Sequence, residues 1–184
     1  MLVAASAMLR KGIVPSVAEV AEVAGVSRAT AYRYFPTQQL LLVEATLDGI
    51  VPDMRAMLAD PAVAPDAESR LDALVETVHQ MVTTNEAAFR ALLQHALASS
   101  PGKPASRGSR RVEWLELALG PIRPQFSTEQ FRRLVAVLSL FIGIETQVVL
   151  RDICHLDLEE TDEAAHWAAR ALLRAALAET LSGA

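Results

Sequence analysis

Apolar residues recur along this chain at intervals of three and four, and no stretch alternates over a strand's length. That pattern predicts an all-α protein of about nine helices. Leu2 to Arg10 reads as a short apolar helix lacking its first turn, with Gly12 ending it and Pro15 restarting the chain. Ser16 to Ala24 is the second helix, and Ser16 with Glu19 fits a capping box. Gly25 and Val26 form a turn, after which Ser27 is a natural N-cap for a third short helix ending near Phe35. Pro36-Thr37 opens a fourth helix to about Gly49, and Pro52 kinks or restarts the chain.

Farther on, a Pro-containing loop at 60–65 precedes two amphipathic helices, Ala67 to Thr84 and Glu86 to Ala98. The Ser, Pro and Gly content of 99–108 predicts a mobile loop. Arg110 to Leu119 is helical, whereas Pro121 and Pro124 exclude regular helix between Gly120 and Phe126. Ser127 and Gln130 repeat the capping-box pattern at the head of a long helix to about Asp152. A last helix runs from about Thr161 to Leu181.

Two of these helices deserve helical wheels. Val17, Val20, Ala21 and Ala24 share one face of the second helix, with Glu19 and Glu22 pointing away. In the third, Ala31 and Phe35 lie four apart and must face the second helix. Ala29, Thr30 and Arg33 point the opposite way, flanked by Tyr32 and Tyr34. The major groove of DNA admits one helix whose N-terminal residues meet base edges. Small residues at Ala29 and Thr30 permit close approach, Arg28 can bond a guanine with both arms, and the tyrosine hydroxyls reach phosphates on either wall. The start of the fourth helix at Thr37 offers backbone N–H groups to a further phosphate.

Charge supports this placement. The chain carries a net charge of −5, but residues 1–40 hold four basic residues (Arg10, Lys11, Arg28, Arg33) and two acidic ones (Glu19, Glu22). Residues 41–184 carry a net −7, so a DNA-facing surface belongs at the N-terminus. The one cysteine, Cys154, forms no internal disulfide and reads as a buried small hydrophobe. The longest apolar run, Leu134 to Ile144, is too short for a bilayer, and the N-terminus lacks the pattern of a signal peptide. The expectation is a cytoplasmic protein without a membrane partner.

Val17 to Leu42, VAEVAEVAGVSRATAYRYFPTQQLLL, resembles the TetR/AcrR family of repressors. The resemblance rests on Ala21 to Ser27, on Tyr32-Arg33-Tyr34-Phe35, and on Pro36-Thr37 before a Leu-rich helix. It covers about 45 residues and implies a helix-turn-helix DNA-binding domain over 1–48, with an effector-binding and dimerisation domain over 49–184. It also implies a homodimer through the last two helices, a palindromic operator, and a small-molecule effector whose binding lowers DNA affinity. Carried over by position, the resemblance makes Arg28, Ala29 and Thr30 base contacts and Tyr32 and Tyr34 phosphate contacts. Ser27, Arg33, Thr37 and Gln38 complete the expected interface. Family members commonly carry a lysine where this chain has Gln38, so the expectation is weaker, more salt-tolerant non-specific binding. The basic arm that members carry before the first helix has no counterpart here, which points to a longer native N-terminus.

The long helix carries Phe131, Leu134, Val135, Leu138, Phe141, Ile142, Val148 and Val149, a stripe wide enough for more than one partner. On the last helix, Ala164, Ala168, Ala171, Leu172, Ala175 and Ala176, with Trp167 near the start, allow close approach of a second helix. Polar or aromatic residues on mostly apolar faces make His79, Phe89, His95, Trp114, Glu145 and Gln147 the candidate lining of an effector cavity. No cofactor or metal is required. One enzymatic alternative exists: Glu76/His79 and Glu163/His166 are Glu-x-x-His pairs of the kind that hold two metals in helix bundles, with Glu113, Glu116 and Glu145 as further ligands. A DNA-binding regulator with no small-molecule effector is the other alternative.

Overall fold

The computed structural model describes residues 1–98 and 108–182, apart from the side chains of Leu47, His95, Ala98, Gly108, Ser109 and Ser182. The described residues contain no strand. The helices are α1 (Leu2–Arg10), α2 (Val17–Val23), α3 (Arg28–Tyr34), α4 (Gln38–Ile50), α5 (Met54–Ala59), α6 (Ala67–Thr84), α7 (Glu86–Ala98), α8 (Gly108–Leu119), α9 (Thr128–Leu138), α10 (Ile144–Gln147) and α11 (Leu158–Ser182). The expected loop at 99–108 lies outside the described residues, except that Gly108 already belongs to α8.

Two compact units form, and within the described residues the chain crosses between them at Pro52/Asp53 and at Thr84/Asn85. In the first, α1 to α4 and α7 enclose a core that includes Val17, Val20 and Ala21 of α2, Ala31 and Phe35 at α3, and Leu40, Leu41 and Ala45 of α4. The buried Ser6 hydroxyl donates to the Ala45 carbonyl at 2.7 Å, tying α1 to α4. The sequence division after Asp48 leaves 86–98 with the C-terminal part. In the structure, Leu92 is instead buried in the N-terminal core, with Ala88 and Phe89 packed on it.

In the second unit α6 is central, burying Leu71, Leu74, Val75, Val78 and Val82. It packs against α5, α8 and α11. From α6, Arg70 latches helix ends: its guanidinium donates to the carbonyls of Leu117 (2.9 Å) and Ala118 (2.7 Å) on α8 and of Leu58 on α5. These are C-terminal carbonyls without helical partners, where a cation is favoured. Pro121 and Pro124 hold Gly120–Gln125 as 3-10 helix, not α-helix.

The long helix expected from Ser127 to Asp152 is broken. Ser127 starts it as expected, with Gln130 completing a capping box. After α9, however, Ser139–Phe141 is a 3-10 turn, α10 leaves at 55°, and Val148–Ile153 winds as a π-helix. The break costs the helix its ladder bonds at three successive carbonyls, and side chains replace them. Arg111 donates to Ser139 O at 3.2 Å, Thr146 to Leu140 O at 2.7 Å, and His79 Nε2 to Phe141 O at 2.9 Å. Gly143 makes the bend with φ 153°, a conformation that L side chains rarely adopt. A Cβ there would stand 2.7 Å from Glu145 Oε2 and 2.9 Å from Arg111 Nη2.

Two further expectations change with this break. Cys154, expected to be buried, is exposed, because the π-helix ends at it and the chain turns outward at His155, where φ is 61°. Helix α11 begins at Leu158, three residues before the expected Thr161, because Asp157 caps it: its Oδ1 accepts from Glu160 N at 2.9 Å. No single described helix is long and apolar enough to cross a membrane.

Candidate nucleic-acid interface

The interface is built from two local devices in the first unit. Ser16 Oγ accepts from Glu19 N at 3.2 Å, and Ser16 N donates to Glu19 Oε2 at 2.7 Å, a complete capping box at the head of α2. The Ser16 backbone N–H holds the Glu19 carboxyl below its ordinary range. Gly25 then turns the chain with φ 65°, and Val26 N returns a bond to Ala21 O at 2.9 Å. A side chain at this positive φ is strained, so the turn favours glycine.

Ser27 caps α3 by accepting from Thr30 N at 3.2 Å. Ala31 and Phe35 are buried against the rest of the unit, as the wheel requires. Their burial turns the opposite face outward. Arg28, Ala29 and Arg33 are exposed, Thr30 is half-buried, and Tyr32 and Tyr34 are each 48% exposed. The Arg33 guanidinium lies 5.1 Å from the centroid of the Tyr34 ring, a cation–π contact that orders both side chains. Thr30 and Tyr34 also line an open groove of about 430 Å³ with Leu2 and Val3 of α1, Val26 and Asp48. Thr37 caps α4, accepting from Leu40 N at 3.2 Å. Gln38 is exposed, but its Nε2 donates to the Pro15 carbonyl at 3.1 Å, joining the starts of α2 and α4. Nothing local to Gln38 signals that bond, because its partner lies 23 positions away.

This geometry is a helix pair with a glycine turn and an outward, uncrowded second helix bearing arginines and hydroxyls. Residues 2–45 match the model of the bacterial regulatory proteins of the tetR family. The chain carries the DNA-binding domain of the TetR family. It is therefore a DNA-binding transcriptional regulator. No curated protein and no solved structure matches the chain.

The residues expected to line an effector cavity do not share one environment. His79 is buried on α6, with Nδ1 2.8 Å from Asp162 Oδ1 and Nε2 2.9 Å from Phe141 O. Both partners accept, so whichever ring nitrogen carries a proton finds one. Gln147 is buried and donates from Nε2 to the Thr83 hydroxyl at 2.7 Å. Glu145 accepts from Arg111 Nη2 at 2.9 and 3.2 Å. Trp114 is half-buried on α8, and Phe89 packs on the core of the first unit. The side chain of His95 lies outside the described residues.

The two Glu-x-x-His pairs do not converge on a metal. Both His79 nitrogens are engaged, as above, and neither is directed at Glu76. His166 Nδ1 lies 2.8 Å from Asp72 Oδ1, and its Nε2 is 3.4 Å from Glu76 Oε2. Asp72 also accepts from Arg170 at 3.1 Å. Glu113 and Glu116 face solvent from α8. Among the described residues no group of three or more His, Cys, Asp or Glu side chains is disposed to hold a metal ion.

Proposed function

We propose that this regulator is a cytoplasmic repressor that binds a palindromic operator as a homodimer and is released by a small-molecule effector. The observation that carries the DNA-reading part is the outward face of α3. Arg28, Ala29 and Thr30 stand at the start of a helix whose other face, Ala31 and Phe35, is buried. In this reading Arg28 and Thr30 meet base edges, while Ser27, Tyr32, Arg33, Tyr34, Thr37 and Gln38 meet phosphates.

The dimer is supported by α11. Thr161, Ala165, Ala169 and Leu173 recur every four residues and are buried in the unit's own core. The small-residue stripe lies to one side of that face: Ala171 and Ala175 are exposed, and Ala164 and Ala168 half-buried. Beside it, α9 and α11 form a shallow groove lined by Leu134, Val137, Leu172 and Ala175. Reading an inverted repeat as a dimer requires the two α3 helices to meet major grooves about 34 Å apart, one turn of DNA.

Selection of bound duplexes from a random pool tests the reading. The expected product is an inverted repeat, and Arg28→Ala should lose it while keeping the fold and the oligomeric state. Pools without an enriched sequence would remove the operator reading. A regulator without an effector is the second reading. It is favoured by the engagement of His79, Glu145 and Gln147 with partners inside the chain. A thermal-shift screen of metabolites separates the two, since an effector that binds the folded state raises the melting temperature.

A further inference from the structure

Arg33 is exposed in the last turn of α3, one position before Tyr34. Adjacent positions on a helix do not face each other. Their contact is therefore made by side-chain conformation: the Arg33 stem bends until the guanidinium carbon lies over the Tyr34 ring, 5.1 Å from its centroid. Tyr34 is itself braced, since it lines the groove with Leu2 and Val3 of α1 and with Val26. Among the described residues no carboxylate pairs with Arg33, whereas Arg111, Arg170 and Arg174 each hold one.

A ring holds a guanidinium without neutralising it, and leaves N–H donors of the fork for the oxygens of a phosphate. Arginine has more rotamer freedom to lose than most side chains. One that is already held in place loses less of it on binding.

We propose, on the reading that α3 enters the major groove, that the Tyr34 ring is a platform that pre-orders Arg33 for one backbone phosphate. This role is separate from any contact that the Tyr34 hydroxyl makes. Tyr34 is thus a positioning residue, and the grip on that phosphate belongs to the pair.

A double-mutant cycle on the full chain, with one duplex selected from a random pool, tests this. Arg33→Ala removes a charge-assisted contact and should weaken binding about tenfold at low salt. Tyr34→Phe and Tyr34→Trp each keep a ring, so Arg33→Ala should still cost about tenfold in either background. Tyr34→Leu removes the ring and keeps every charge, so the same substitution should then cost only about twofold. Tyr34→Gln carries the test should the leucine variant fail to fold. The selected sequence should be the same throughout, because phosphate contacts read no bases.

The failures are distinguishable. An equal cost of Arg33→Ala in all backgrounds would overturn the platform, and a melting temperature lowered by Tyr34→Leu would then make Tyr34 a packing residue. A cost abolished by Tyr34→Phe as fully as by Tyr34→Leu would assign the role to the hydroxyl and overturn the platform. No cost in the parent protein would remove Arg33 from the phosphate contacts, and the platform with it. No enriched duplex with the parent protein would overturn the operator reading and the platform together.

Discussion

His79 on α6 holds the carbonyl of Phe141 at 2.9 Å, where an unbroken helix would have used the amide four residues on. With its other nitrogen it holds Asp162 of α11 at 2.8 Å. One buried ring therefore joins three segments of the second unit. His79→Ala removes the ring that both the Phe141 carbonyl and the Asp162 carboxylate contact and opens a cavity, and should cost roughly 2–4 kcal/mol of stability. Urea denaturation measures it. A change under about 1 kcal/mol would mean that water replaces the ring without loss.

Gly143 permits the break that His79 completes. Gly143→Ala forces a residue into a φ of 153° and drives its Cβ onto the Glu145–Arg111 pair. The expected loss is about 1–3 kcal/mol. A double-mutant cycle with Glu145→Gln separates the two causes: contact with the ion pair gives non-additive losses, whereas backbone strain alone gives additive ones.

How much of this was legible in the sequence follows from distance along the chain. Both capping boxes, at Ser16/Glu19 and Ser127/Gln130, were legible because each closes over three residues. So were the burial of Ala31 and Phe35 and the outward turn of Arg28, since a helical period fixes them. The break at Gly143 was not, because an apolar run of that length continues a helix by local propensity alone. What overrides propensity there is Arg111 and His79, 28 and 62 positions away from the carbonyls they hold. The exposure of Cys154 follows from that break and was hidden with it. His79, Glu145 and Gln147 stand out in the sequence as polar residues in apolar stretches, but periodicity says nothing about which groups they bond.

Glu19 gives the first unit a pH dependence of known sign. Its carboxyl titrates below the ordinary value of 4.5 because the Ser16 backbone N–H bonds the charged form, with the Ser16 side chain adding to the effect. A lowered folded-state value contributes stability that is present above the unfolded value and lost as pH falls through the folded one. Glu19→Gln still accepts the Ser16 N–H but does not titrate. Melting temperatures of parent and variant should therefore converge as pH drops from about 6 to about 3. Parallel curves over that window would show that the capping box does not contribute through its charge.

Gln38 is where the expected interface and the observed contacts meet. Its amide joins the start of α4 to the Pro15 carbonyl, and it stands on the exposed rim beside Thr37. An uncharged side chain releases no counterion on binding, so the parent protein should show a shallow dependence of affinity on salt. Gln38→Lys adds a point charge with reach to a phosphate. The slope of log K against log salt should steepen by roughly one unit per chain, with tighter binding at low salt. The selected sequence should not change, because phosphate contacts position the protein without reading bases. Binding isotherms at several salt concentrations, on one selected duplex and one unrelated duplex, make the comparison. An unaltered slope would place residue 38 off the DNA, with its role confined to joining α2 and α4. A changed base preference would show instead that the Pro15 bond sets the angle at which α3 is presented.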